Sequence, residues 1–333
     1  MSRPSRVRSI ALAAVLALLV AACGGDDEPA GAPDSTAVTP SSGMASEVTT
    51  STTSITSTST PGEVASGGAS VEVVTFVDDT RPTKAEGNHP GAPDRTIETT
   101  VYLPSSSEPR PLIVLSHGHG GHPDKLRELS YHWSDAGFVV AVPKFPLSNH
   151  EIIDPSLGDV PDQAADVAFV VGSLRALDAD AGPTAGRIDF EQIGLAGVSL
   201  GGITNWSTLM SGCCDDLEID GIVASDTAFP ADSARGDEVT MPVLTIHSDV
   251  DPIFPYEDVR GVWDIMPAPR WLLTLHGAIH AQASENDDIP HSDAYQLAST
   301  EFWERVFGEE SWDDEFPTEL TTDGISTFEA APT

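Results

Sequence analysis

The sequence predicts an α/β fold with a mainly parallel central sheet and helices on both of its faces. Short apolar runs rich in Val, Ile and Leu recur at close intervals, and helix-length segments alternate with them. Runs that are apolar at every position need cover on both sides, and a strand–helix–strand order supplies it. A chain of 333 residues with 40% hydrophobic content can fill such a core.

Taken in order, "VEVVTFVDD" and "TIETTVYLP" read as two β-rich segments separated by a Pro and Gly stretch. The buried strands follow as "PLIVLSHG", "FVVAVPKFP", "QIGLAGVS", "GIVASD", "PVLTIHSD" and "WLLTLHG". Helices are expected at "DKLRELSYHWSDAG", at "PDQAADVAFVVGSLRALDADAG", after Ser199, and at "DAYQLASTEFWERVFG". The compact domain is expected over residues 71–308, with an acidic tail over 309–333.

Ahead of the domain, Arg3, Arg6 and Arg8 precede the apolar segment 10–20, which is too short to span a bilayer and reads as a secretory signal over residues 1–22. It ends in Val20-Ala21-Ala22-Cys23, which resembles the lipobox of bacterial lipoproteins. That resemblance implies cleavage before Cys23, lipidation of its thiol and an anchor outside the cytoplasm. An ordinary small-residue cleavage site beside a bystander cysteine is the alternative. Residues 31–60 hold seventeen Ser or Thr and no apolar period, so residues 23–70 are expected to form a disordered stalk.

The formal charge is −36, which excludes nucleic acid and anionic lipid as partners drawn by the chain's own field. Solubility and adaptation to high salt both fit this balance, and composition alone does not separate them.

The sharpest local signal is Gly197-Val198-Ser199-Leu200-Gly201-Gly202, set between the strand "QIGLA" and an expected helix. G-x-S-x-G in that setting is a tight strand-to-helix turn that lifts a serine hydroxyl above the sheet and places the next N–H, that of Leu200, beside it. Serine is a weak nucleophile without a base, and the base needs a third group to orient it. Asp249 and Asp251 follow the strand "PVLTIHS", and His280 lies in the loop after the next strand. His276, at the strand end, reads as structural.

On these residues the region 71–308 resembles the α/β-hydrolase superfamily. It is most similar to the dienelactone-hydrolase-like, platelet-activating-factor-acetylhydrolase-like and bacterial cutinase or polyester-hydrolase branches. The resemblance implies a triad of Ser199, His280 and Asp251, with the acid carried by Asp251-Pro252-Ile253-Phe254-Pro255 and the base by the segment from Gly277 to His280. The acetylhydrolase branch places its acid one strand earlier, where Asp226 stands. Asp251 is preferred because the later position is the commoner one; Asp249 is a third candidate.

"SHGHGGH", residues 116–122, follows the strand "PLIVL" and resembles the loop that supplies the second oxyanion donor, here the N–H of His119 beside that of Leu200. Its three imidazoles also raise a metal site, but an acidic or thiolate partner and a defined spacing on one element are missing nearby. No metal and no cofactor are expected.

Cys213 and Cys214 are adjacent, which leaves a vicinal disulfide, free thiols or an intermolecular link open. Phe229 and Trp206 are candidates for an acyl pocket, with core packing the stronger reading for Trp206. The expectation is therefore a lipid-anchored serine carboxylic-ester hydrolase. A polyester hydrolase, a phospholipid acetylhydrolase, and a surface binding lipoprotein on a retired hydrolase scaffold are the alternatives.

Overall fold

The computed structural model describes residues 54–57, 68–179, 184–229, 239–267, 269–308, 310–312 and 315–331. The signal segment, Cys23 and most of the expected stalk lie outside them. The fold is α/β, with ten strands in one mixed sheet and five α-helices.

The strands are β1 (Ser54–Ser57), β2 (Ser70–Asp78), β3 (Arg95–Leu103), β4 (Arg110–Ser116), β5 (Val139–Lys144), β6 (Ile188–Val198), β7 (Gly221–Ser225), β8 (Val243–Ser248), β9 (Arg270–Leu275) and β10 (Ser326–Ala331). Their order across the sheet is β1-β2-β3-β5-β4-β6-β7-β8-β9-β10. The block from β5 to β9 is parallel, and β1, β2, β3 and β10 run antiparallel to their neighbours.

The helices are α1 (Arg127–Asp135), α2 (Val160–Ala179), α3 (Leu200–Met210), α4 (Tyr256–Ile265) and α5 (Pro290–Val306). None among the described residues is long and apolar enough to cross a membrane. Successive side chains of a strand point to opposite faces, and β4 divides the core accordingly. Leu112 and Val114 pack with Val167, Val170 and Leu174 of α2. Ile113 and Leu115 pack with Leu129 and Trp133 of α1 and with Phe302 and Trp303 of α5.

Two expected boundaries need correction. The compact region does not end near Gly308, because β10 pairs with β9 along its whole length, from Ser326 opposite Leu275 to Ala331 opposite Arg270. Within the expected stalk, β1 pairs with β2. In both cases an edge strand draws its stability from a remote partner, so a local apolar period is not required of it. The helix α4 was likewise not foreseen, although Val259 and Trp263, one turn apart, bury its inner face.

Around the start of β3 lies a polar core that the sequence did not disclose. Arg95 on β3 is fully buried and binds two carboxylates, Asp166 through Nε at 2.7 Å and Asp159 through Nη2 at 2.8 Å. Arg81 reaches Asp166 as well, at 2.8 Å. Burial pushes both carboxyls above the ordinary range against the pull of Arg95. The network continues through Gln163, which donates to Ser148 Oγ and accepts from Thr204 of α3.

Candidate active site

The loops after β4, β6, β7, β8 and β9 gather at one edge of the sheet, because these five strands are parallel neighbours and end on the same side. Such an edge, at the carboxyl ends of parallel strands, is where α/β sheets bind ligands. Every candidate residue in the described region except Trp206, the cysteine pair and Leu200, which opens α3, comes from one of these loops.

Ser199 stands between β6 and α3 with φ 56° and ψ −120°, a strained geometry for a residue with a side chain. It is held there by its own N–H donating to Ser225 O at 2.9 Å and by Thr227 Oγ1 donating to Ser199 O at 2.7 Å. The turn brings α3 hard against β4, so that a Cβ on Gly201 would run into the Ser116 carbonyl. This is why the position after Leu200 is glycine.

His280 Nε2 lies 2.8 Å from Ser199 Oγ, and its Nδ1 lies 2.7 Å from Asp251 Oδ2. The other oxygen of Asp251 accepts the N–H groups of Ile253 and Phe254, at 2.6 and 3.0 Å. Burial works against the charge of Asp251, yet the His280 bond and these N–H groups hold its carboxyl below the usual range. Burial likewise opposes a charged His280, but the hydrogen bond and charge of Asp251, with Asp226 and Glu285 beyond it, raise its pKa above the ordinary value.

The two other acids take different tasks. Asp226 does not bond the imidazole of His280; its Oδ1 accepts from Ser248 N–H and its Oδ2 from Ala281 N–H, both at 2.9 Å. Asp249 accepts from Gly277 N–H and pairs with His276 Nδ1 at 2.9 Å, while His276 Nε2 meets Thr327 Oγ1 of β10. His276 is thus part of the frame that docks the last strand.

The loop after β4 runs beside Ser199, with a Cβ on Gly118 placed 3.1 Å from Ser199 Cβ. The N–H groups of Gly120 and Gly121 are taken by Ser148 O and Gly118 O. Among the described residues the His119 N–H is in no such bond, and the Leu200 N–H opens α3, where first-turn donors have no partner within the helix.

Each histidine ring of this loop has its own place. His117 is buried between Gly118 O, 2.8 Å from Nδ1, and Phe145 N–H, which donates to Nε2 at 3.2 Å; burial lowers its pKa to about 4, so the ring is neutral. His119 Nε2 meets Pro155 O at 2.7 Å. His122 caps a short 3-10 turn and stacks on His150 at 4.4 Å.

Two groups of potential metal donors lie close by. In the first, His122, His150 and Glu151 bring ligand atoms within 4.8 Å, but the near-parallel rings direct their in-plane lone pairs along separate planes. In the second, Asp226, His247 and Asp251, each carboxylate oxygen already accepts an N–H group.

Trp206 and Phe229 pack together with ring centroids 4.7 Å apart and belong to a core cluster with Ile222 and Val243. They line a small cavity with Thr227, the residue bonded to Ser199 O. Cys213 and Cys214 are joined as a vicinal disulfide. Sequence reasoning missed His247, fully buried at the end of β8; its position directly before Ser248 in a run that is buried throughout was the available signal.

Comparison of the sequence with family models and with curated proteins returns no match.

Proposed function

We propose that the chain is a serine carboxylic-ester hydrolase of the α/β-hydrolase type. One observation carries the reading: an unbroken hydrogen-bonded series from Ser199 Oγ through His280 to Asp251, assembled from the ends of β6, β9 and β8. The division of the core into clusters on alternate β4 residues supports the layered architecture of that superfamily, with α2 on one face and α1 and α5 on the other.

In this reaction Ser199 Oγ attacks the ester carbonyl carbon as its proton passes to His280 Nε2. Negative charge gathers on the carbonyl oxygen, where the His119 and Leu200 N–H groups receive it. His280 then protonates the departing alcohol, and the acyl group stays on Ser199. Water, deprotonated by the same imidazole, releases the carboxylic acid. Asp251 keeps Nδ1–H facing itself and stabilises the imidazolium formed in each half. No step requires a cofactor. The signal-like segment ending at Cys23 supports a lipid-anchored enzyme working outside the cytoplasm.

A fluorophosphonate should label wild-type protein at Ser199, and Ser199→Ala should abolish both labelling and hydrolysis of p-nitrophenyl esters. Asp251→Asn should lower kcat by about a thousandfold or more. A wild-type protein inert to fluorophosphonate would overturn the esterase reading in favour of a binding lipoprotein. Rates across an acyl chain-length series, set against erosion of a polyester film, would then place the substrate.

A further inference from the structure

We propose that Asp226 is a positioning residue of this site, a carboxylate staple that fixes the loop carrying His280 to the strand end carrying Asp251. The proposal rests on the esterase reading and deepens it. Asp226 sits at the end of β7, between the strand that delivers Ser199 and the one that delivers Asp251. Its oxygens accept one N–H from each side, Ser248 at the end of β8 and Ala281 directly after His280. Ala281 has φ 58° and Asp226 has φ 42°, conformations that residues with a Cβ adopt only when their surroundings hold them.

The demand is for two acceptors. Burial raises the pKa of the Asp226 carboxyl while the neighbouring His247 and the Ser248 N–H pull it back; as a carboxylate it offers an oxygen to each N–H, whereas an amide of the same shape offers one oxygen and turns a donor toward the other N–H. Leaving a buried N–H unpaired is costly, so the loop would shift to find a partner. The nearest mobile consequence is the position of the His280 ring.

His247 lies beside the staple. Its Nδ1 lies 3.6 Å from Asp226 Oδ1, with no hydrogen bond of its own among the described residues, and its Nε2–H donates to Phe254 O at 2.9 Å. Phe254 gives its N–H to Asp251, and its ring lies 5.7 Å from that of His280. Asp226 and His247, both buried, therefore bond the segments that carry His280 and Asp251. The groups facing His280 are Asp251, Asp226 and Glu285.

The test compares wild type, Asp226→Asn and Asp226→Glu, with kcat expressed per Ser199 titrated by fluorophosphonate so that misfolded molecules drop out. With Asp226→Asn, kcat should fall about a hundredfold while KM stays within about twofold, the pattern of a misplaced base rather than a lost binding contact. The acid limb of the pH profile should move to lower pH, since one carboxylate facing His280 is gone. Asp226→Glu keeps the charge but moves the oxygens, so kcat should fall with the acid limb unmoved; it also serves if the Asn variant fails to fold. Wild-type kcat in either folded variant, or a loss that vanishes when rates are divided by titrated sites, would overturn the proposal. A wild type that neither labels nor turns over ester would overturn the esterase reading and this staple with it.

Discussion

Gly118 approaches Ser199 so closely that a Cβ on it would lie 3.1 Å from Ser199 Cβ and 3.6 Å from Oγ. The first added carbon would press on the Ser199 side chain and on the Val198 carbonyl, 3.2 Å away. Gly118→Ala should therefore lower kcat by about tenfold or more, through displacement of Oγ and of the His119 N–H, with little change in thermal stability. Steady-state kinetics beside a melting curve would separate the two effects; unchanged kcat would show that the loop yields.

In the proposed reaction His280 must be neutral to accept the Ser199 proton. Its pKa is raised in the fold by the Asp251 hydrogen bond and charge against the effect of burial, so the neutral fraction grows only at higher pH than for an ordinary histidine. The acid limb of kcat/KM should have its midpoint above about 6.5 and rise with pH through it. A midpoint below that value in the substrate-free protein would contradict the charge arrangement described.

His117 titrates in the opposite sense. The folded chain holds it neutral with a pKa of about 4, whereas the unfolded chain binds a proton near the ordinary 6.5. Its contribution is fully present above pH 6.5 and is lost as pH falls toward 4, amounting to about 3 kcal/mol at most. Urea unfolding at intervals across that window should show a slope that His117→Gln reduces; an identical slope in the variant would reassign it to other groups.

Arg95 compensates two buried carboxylates, so removing it while leaving them is expected to be costly. Arg95→Met should destabilise the fold by about 3–5 kcal/mol at neutral pH, with part of the loss recovered in mild acid as Asp159 and Asp166 take up protons. Denaturant midpoints at two pH values would measure both parts. Since Gln163 links this network to Ser148 and Thr204, a Gln163→Leu variant offers a milder probe of the same region.

Much of this was readable in advance where a residue's neighbours in sequence are also its neighbours in space. The strands β4 to β9 announce themselves because burial on both faces makes most of their central positions apolar, and Ser199 is marked by a turn that only small flanking residues permit. Asp251 and His280 could be placed because each follows a strand end. Asp226 could be placed as well, but not its bonds, since Ala281 is 55 residues away. Glycine spacing in "SHGHGGH" revealed the loop, whereas the separate environments of His117, His119 and His122 come from the segment after β5. The strands β1 and β10 stayed hidden because hydrogen bonding to a distant edge leaves no period in a short polar sequence. The eight acids of 309–333 further disguised β10 as a tail.

That last strand bears on how the protein is handled. A preparation trimmed at Gly308 to discard an acidic extension would strip β9 of its partner and leave an open row of backbone donors and acceptors beside Leu272, Leu273 and Leu275. Bare edges of this kind recruit other chains, so the shortened protein should precipitate or form fibrils on storage while the uncut one stays clear. It would also forfeit the contact of Thr327 with His276 and the ion pair of Glu329 with Arg260. Purification tags and display fusions belong beyond Ala331, with the acidic segment kept as the selvedge that stops the sheet from fraying.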